Sequence, residues 1–316
     1  MSADLALAAD LAVFVRERTT AVLGADAGAA RIEPVATAAH HVVLLVRPHG
    51  SLPLVFKAAP TGSSAPMDVE RTAAVMARAR AAGVPVATVL AADASGRDGP
   101  WRYLLYERIT GRPWRDVRPE LDADAERSAQ NAIADALLAL QSTRLPAYGP
   151  LDAWAEPSAG TADLRAALSR RADVLVADPR RREQFQRVLD RHAEAFAEGA
   201  SGSEPAATIG HDDLHHGNVL FRRDRAGWRL SGVLDWDKAW AAPAESDVAR
   251  MALWDDMTGP GFWAVYRAGR PAAPGWTERV LIDQLLWCFE VSWTSPRHAA
   301  DTEAVLRRLG ETLTPT

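Results

Sequence analysis

From His211 to Asn218 the chain reads HDDLHHGN, and His211, Asp212, Asp213, His215, His216 and Asn218 all carry groups able to bind a proton or a metal. The apolar run Val219-Leu220-Phe221 follows directly. A polar turn through Arg222–Gly227 then leads into Gly232-Val233-Leu234, a short buried-strand pattern ending in Asp235-Trp236-Asp237. Two short strands around a turn containing Asp224, Arg225 and Gly227 predict a hairpin that places Asn218 near Asp235. An amide oxygen beside a carboxylate is a hard oxygen site, suited to magnesium with phosphates.

The same side chains admit a second chemistry, because mixed His/Asp clusters also build zinc and di-metal hydrolase sites. Such sites usually draw further ligands from distant strands, and only His192 and His298 remain nearby or downstream to supply imidazole. A polar loop with no chemistry is the remaining alternative.

The pattern His211-x-Asp213-Leu214-His215-x-Gly217-Asn218, followed by Val233-Leu234-Asp235-Trp236, resembles the catalytic core of the aminoglycoside phosphotransferase family. That family is kinase-like. The resemblance implies an α+β, protein-kinase-like two-lobed fold, with a small antiparallel β-sheet lobe ahead of a larger, mainly helical lobe. It implies a catalytic group of His211, Asp213 and Asn218 with Asp213 as the base, magnesium held by Asn218 and Asp235, and ATP or GTP as donor. Phosphoryl transfer has the same needs: one carboxylate to orient the acceptor hydroxyl, and oxygen ligands to hold the metal on the phosphates. Asp247 matches the family's later structural aspartate. Asp212 stands where the family usually has glycine, which points to an altered loop surface and not to lost activity.

The elements that must position these groups are legible upstream. Val42–Val46 and Leu54–Lys57 read as two strands around a loop with Gly50. Of the 36 basic residues only Lys57 and Lys238 are lysines, so a lysine at the end of a buried strand stands out. In the kinase-like reading Lys57 is the nucleotide lysine, a compact charge reaching the α- and β-phosphates. Lys238 is assigned to surface or substrate contacts. The segment Val35–His41 lacks the glycine with which the family's first loop approaches phosphate. Met67–Ala82 reads as a helix stopped by Gly83. The family's lysine-holding glutamate falls at Thr72 in this register, and Glu70, about 200° round an ideal helix, is the carboxylate expected to pair with Lys57.

Val86–Ala91 and Tyr103–Tyr106 read as further strands. The Gly- and Pro-bearing stretch from Glu107 to Pro113 then marks the boundary between lobes at 1–106 and 107–316. The resemblance implies backbone contacts to the base near Glu107 and Ile109. Beyond Trp114, apolar residues at three- and four-residue spacing predict helices over Asp122–Gln141, Thr161–Ala177, Pro179–Gly199, Ser246–Met257, Gly261–Ala268, Thr277–Trp293 and Ala299–Leu313. Seven of the eleven tryptophans lie between 236 and 293, most of them as core. With Asp255, Asp256 and Glu290, Trp254 and its neighbours also suit a pocket for a cationic or ring-bearing acceptor.

At 316 residues and 48% apolar composition the chain can fill the cores of two lobes. A net charge of −5 argues against a nucleic-acid partner. The single cysteine, Cys288, excludes an internal disulfide, fits a reducing cytoplasm and reads as a small buried hydrophobe. The amino terminus lacks a basic n-region, and Asp4, Asp10 and Arg16 interrupt its apolar residues, so an amphipathic helix is expected and not a signal peptide or membrane span. The resulting expectation is a cytoplasmic monomer or homodimer that transfers a phosphoryl group from ATP or GTP to a hydroxyl of a small molecule. An antibiotic is the leading acceptor, in resistance or self-resistance. The alternatives are a metal-dependent hydrolase and a non-catalytic nucleotide-binding protein of the same fold.

Overall fold

The computed structural model describes residues 9–24, 29–37, 41–62, 67–197, 207–254, 257–291 and 295–312. The chain opens with helix α1 (Ala9–Leu23), whose Leu11, Phe14 and Val15 are buried. Strands β1 (Arg31–Thr37), β2 (Val42–Arg47) and β3 (Leu54–Pro60) follow, then helix α2 (Val69–Ala81), then β4 (Val89–Asp93) and β5 (Trp101–Glu107). These strands form one antiparallel sheet in the order β1-β2-β3-β5-β4. Alternation along β2 and β3 gives the sheet two apolar faces. Phe56 and Tyr103 stack on the α1 side, with Phe14 edge-on to both. On the other side lies α2, started by Asp68, whose carboxylate caps the Arg71 N–H at 3.0 Å, and followed by Gly83 at φ +96°.

Strand β6 (Arg112–Pro113), helix α3 (Trp114–Val117) and helix α4 (Ala123–Leu140) come next, followed by β7 (Arg144–Leu145), β8 (Gly149–Pro150), α5 (Leu164–Leu175) and α6 (Pro179–Arg191). Then come β9 (Ala207–Gly210), the hairpin of β10 (Val219–Asp224) and β11 (Gly227–Val233), β12 (Trp240–Ala242), and helices α7 (Glu245–Met251), α8 (Pro260–Gly269), α9 (Trp276–Glu290) and α10 (Pro296–Arg308). The hairpin pairs with β6, and a second small sheet runs β7-β9-β12-β8. The fold is α+β and kinase-like, a five-stranded antiparallel sheet joined to a mainly helical lobe. None of its helices, among the described residues, is long and apolar enough to cross a membrane.

Most of the expected helices are found with ends within a few residues, but α6 ends at Arg191 and α7 at Met251, well short of the ends read at Gly199 and Met257. Strand β1, by contrast, is absent from the sequence reading, and Lys57 sits inside β3 and not at its end. Part of Val35–His41, including residues 38–40, lies outside the described residues, as do Asp255, Asp256 and Trp293. The linker gives no break in packing. Met76, Val84, Val86 and Leu104 share one buried cluster with Ile209, Val219, Val233 and Trp236.

Candidate active site

The β10–β11 hairpin forms as its sequence requires. Val219 pairs with Val233 and Asp224 with Gly227, and the Asp224 carboxylate accepts the Ala226 N–H at 2.9 Å in the turn. At the open end Leu234 donates its N–H to the Asn218 carbonyl at 2.8 Å, so Asn218 and Asp235 leave the hairpin as neighbours. Gly232 matters to this placement. A Cβ there would lie 2.6 Å from Cγ2 of Ile109, so only glycine lets the linker lie on the hairpin.

The loop from Gly210 to Asn218 is held from beneath. His211 is fully buried and neutral in form, since Nδ1 accepts the Asp213 N–H at 3.1 Å and Nε2 therefore donates to the Leu234 carbonyl at 2.7 Å. One imidazole thus joins Asp213 to the residue before Asp235. Asp247 accepts the N–H groups of His211 at 2.9 Å and Asp212 at 2.8 Å. Burial raises its carboxyl pKa, and those two bonds pull the other way.

Asp212, at the position the family usually gives to glycine, adopts φ +59°, the left-handed region that glycine enters freely and aspartate tolerates better than most residues. Its carboxylate is ion-paired with Arg171 of α5, and its carbonyl accepts from Arg250. Arg250 also reaches the Asp213 carboxylate, Nη2 to Oδ1, at 2.8 Å. Asn218 donates its side-chain amide to the Asp213 carbonyl at 3.0 Å, which leaves its Oδ1 available as a ligand. Asp235, at φ +62°, is half exposed. A free amide oxygen and an open carboxylate are the donor set that magnesium takes.

Lys57 enters from β3, 7% exposed. Here the structure corrects the sequence reading. Glu70 is exposed on α2 and does not pair with Lys57. The ammonium is ion-paired with Asp237 and lies 3.6 Å from Asp235 Oδ1. Thr72, at the position the family gives to glutamate, carries no charge and sends its hydroxyl to Asp237 Oδ1 at 3.3 Å. Arg71 adds a bond to the Asp237 carbonyl at 2.7 Å. Lys57, Thr72, Tyr106, Leu234, Asp235 and Asp237 line one small cavity. Glu107 and Ile109 line a second cleft, which shares Ala87 with the first; there Glu107 donates its N–H to the Thr88 carbonyl at 3.0 Å, whereas the Ile109 N–H meets no acceptor among the described residues.

The expected acceptor wall is assembled only in part. Trp254 packs against His215, His216 and Trp287, with ring centroids 5.4, 4.7 and 5.7 Å away. Burial pushes the His215 pKa down to about 4 against the pull of Asp213, and its Nδ1 accepts the Gly217 N–H at 3.0 Å. Glu290 already faces two cations, Lys238 at 2.8 Å and Arg250 at 3.7 Å, which weakens it as a site for a cationic acceptor. Cys288 is buried, and burial raises its thiol pKa to about 11. Sequence reasoning left Asp237 without a role and passed over Arg171 and Arg250. The one available signal was a second aspartate two residues after Asp235.

His192, His211, His215 and His298 all bond to backbone groups. Among the described residues, no group of three or more His, Cys, Asp or Glu could hold a metal ion. The model of a family described as phosphotransferase enzyme family matches residues 31–281. No curated protein matches the chain. Among solved structures, the aminoglycoside phosphotransferase APH(4)-Ia is 16% identical, with 95% of this chain and 99% of that one covered at a TM-score of 0.63. A protein from Thermobifida fusca YX-ER1, provisionally designated a fructosamine-3-kinase, is 20% identical over 93% of this chain and 98% of its own, with a TM-score of 0.64. A mutant of the first has been solved with AMP-PNP and hygromycin B, at 16% identity over 94% of this chain and 98% of that one and a TM-score of 0.62.

Proposed function

Because the chain belongs to the phosphotransferase enzyme family, we propose that it moves the terminal phosphoryl group of ATP or GTP, as the magnesium complex, onto a hydroxyl of a small molecule, with an antibiotic as the leading acceptor. One observation carries the reading: Lys57 of the sheet and Asp235 of the helical lobe meet at 3.6 Å, on the same hairpin end that presents Asn218, while His211 ties Asp213 to that end.

In this reading the lobes divide near residues 107–113. The linker offers the unpaired Ile109 N–H to the base, beside Glu107. Lys57 binds the α- and β-phosphates. Asn218 Oδ1 and Asp235 hold the magnesium, which screens the phosphate charge when bound. Asp213 takes the acceptor's hydroxyl proton. As the acceptor oxygen bonds to the γ-phosphorus, the bond from that phosphorus to the β–γ bridging oxygen breaks and the nucleoside diphosphate leaves. Trp254 and the neutral His215 face the acceptor as an apolar, ring-stacking wall.

Nucleotide consumption against a panel of aminoglycosides, including hygromycin B, other hydroxylated antibiotics and fructosamines tests the proposal. Acceptor-dependent release of diphosphate by one class, with the phosphate found on an oxygen by phosphorus NMR, is the expected result. Nucleotide binding without release on any acceptor would leave a non-catalytic nucleotide-binding protein.

A further inference from the structure

A buried ammonium needs a counter-charge, and here two carboxylates compete for the part. Asp235 stands 3.6 Å from Lys57 with its side chain 49% exposed. Asp237 is in direct ion-pair contact and 20% exposed. The two differ in what holds them. No other hydrogen bond reaches the Asp235 carboxylate among the described residues. Asp237 is held through Thr72 Oγ1 on one carboxylate oxygen, Lys57 on the other and Arg71 on its carbonyl. Among the described residues, the hydrogen bonds that link helix α2 to Lys57 run through Asp237, which belongs to the segment after β11.

We propose that Asp237 is the positioning residue of Lys57, a counter-charge supplied from the catalytic segment and gripped by α2. The inference rests on the phosphotransferase reading above. The physical argument concerns what happens when nucleotide arrives. A carboxylate drawn to a metal ion divides its charge between two cations, so a lysine held by Asp235 alone would be held less firmly at the moment it is needed. With Asp237 as the permanent partner, Asp235 is free to change ligands while Lys57 stays aimed into the cavity. Lysine carries a long, flexible stem, and fixing it beforehand removes the rotamer entropy that binding would otherwise have to supply.

The hydroxyl of Thr72 already touches the Asp237 carboxylate, so a glutamate at 72 would reach the volume that carboxylate fills. This permits a test by moving the charge. Asp237→Asn, Asp237→Ala, Thr72→Glu and the double variant Thr72→Glu/Asp237→Ala are compared in the full chain. One readout needs no nucleotide. With only Lys57 and Lys238 present, lysine labelled with ¹³C at Cε gives two assignable signals. The Lys57 signal should shift in Asp237→Asn and Asp237→Ala and return in the double variant. The second readout is calorimetric: the magnesium–ATP Kd and the KM for ATP should rise about tenfold in Asp237→Asn and recover to within about threefold in the double variant.

An unmoved Lys57 signal in Asp237→Asn overturns the proposal, as does a nucleotide defect that appears only with magnesium present and is not rescued from position 72, the behaviour of a metal ligand. Absence of nucleotide binding in the wild type would instead remove the phosphotransferase reading, and the lysine signal would still report the pairing.

Discussion

Arg250 meets Asp213 with Nη2 2.8 Å from Oδ1, and the same arginine binds the carbonyl of Asp212. One carboxylate oxygen of Asp213 is thereby fixed, and the other accepts no hydrogen bond among the described residues, which in the proposed reaction leaves it for the acceptor hydroxyl. Asp213→Asn preserves this geometry but cannot take a proton. Turnover should fall by about 10²–10⁴, the usual cost of losing a general base, while the nucleotide Kd stays within about twofold. Single-turnover kinetics and calorimetry check this; undiminished turnover removes Asp213 from the role.

Lys57 is buried against Asp237, where a compact ammonium fits and a wide planar guanidinium does not. Lys57→Arg should keep its circular dichroism spectrum and lose at least about tenfold in kcat/KM, or roughly 1.4 kcal/mol of transition-state stabilisation. Wild-type kinetics in this variant would mean that the sheet lobe does not hold the nucleotide through Lys57.

Asp212 sits in the left-handed region with its charge used by Arg171. Asp212→Gly loses the ion pair but relaxes the backbone, whereas Asp212→Ala loses the pair and meets the Cβ strain as well. Urea denaturation should find the alanine variant less stable than the glycine variant by about 1 kcal/mol. Equal stabilities would show that the loop relaxes out of this conformation.

His215 has its pKa lowered from the ordinary 6.5 to about 4, chiefly by burial, among His211, His216, Arg250 and Asp213. The folded state then binds fewer protons than the unfolded one across this range. His215 costs no stability above pH 6.5, and stability is lost as the pH falls from there towards 4. His215→Asn keeps an acceptor for the Gly217 N–H and does not titrate. Thermal melts should show a smaller fall in Tm between pH 7 and pH 5 in the variant than in the wild type. Other buried acids such as Asp247 act equally in both proteins and cancel in the difference.

Local signals made the fold largely legible. The stop at Gly83 and the turn before Gly227 are short-range chemistry, and their elements form as read. Strand β1 escaped because Pro34 sits at a register shift and interrupts its alternation. Strands β7, β8, β9 and β12 span two to four residues, too few for a period to register. In the candidate site, the hairpin that brings Asn218 to Asp235 was readable because sequence neighbours make it. The Lys57–Asp237 pair was not, because its members stand 180 residues apart and only the packed fold selects Asp237 over Glu70. The left-handed backbone at Asp212 and Asp235 leaves no mark in residue type beyond aspartate's tolerance of it.

The buried cluster that passes beneath the linker has a consequence for motion. Val233 donates its N–H to the Pro85 carbonyl at 2.8 Å, and Met76, Val84 and Leu104 share one buried cluster with Val219, Val233 and Trp236. Swinging the sheet away from the helices would expose this buried apolar cluster and break that bond, a cost that opposes the motion. The two halves should breathe and melt together as one cooperative body. Under the phosphotransferase reading, nucleotide would then have to enter and leave without the two halves parting.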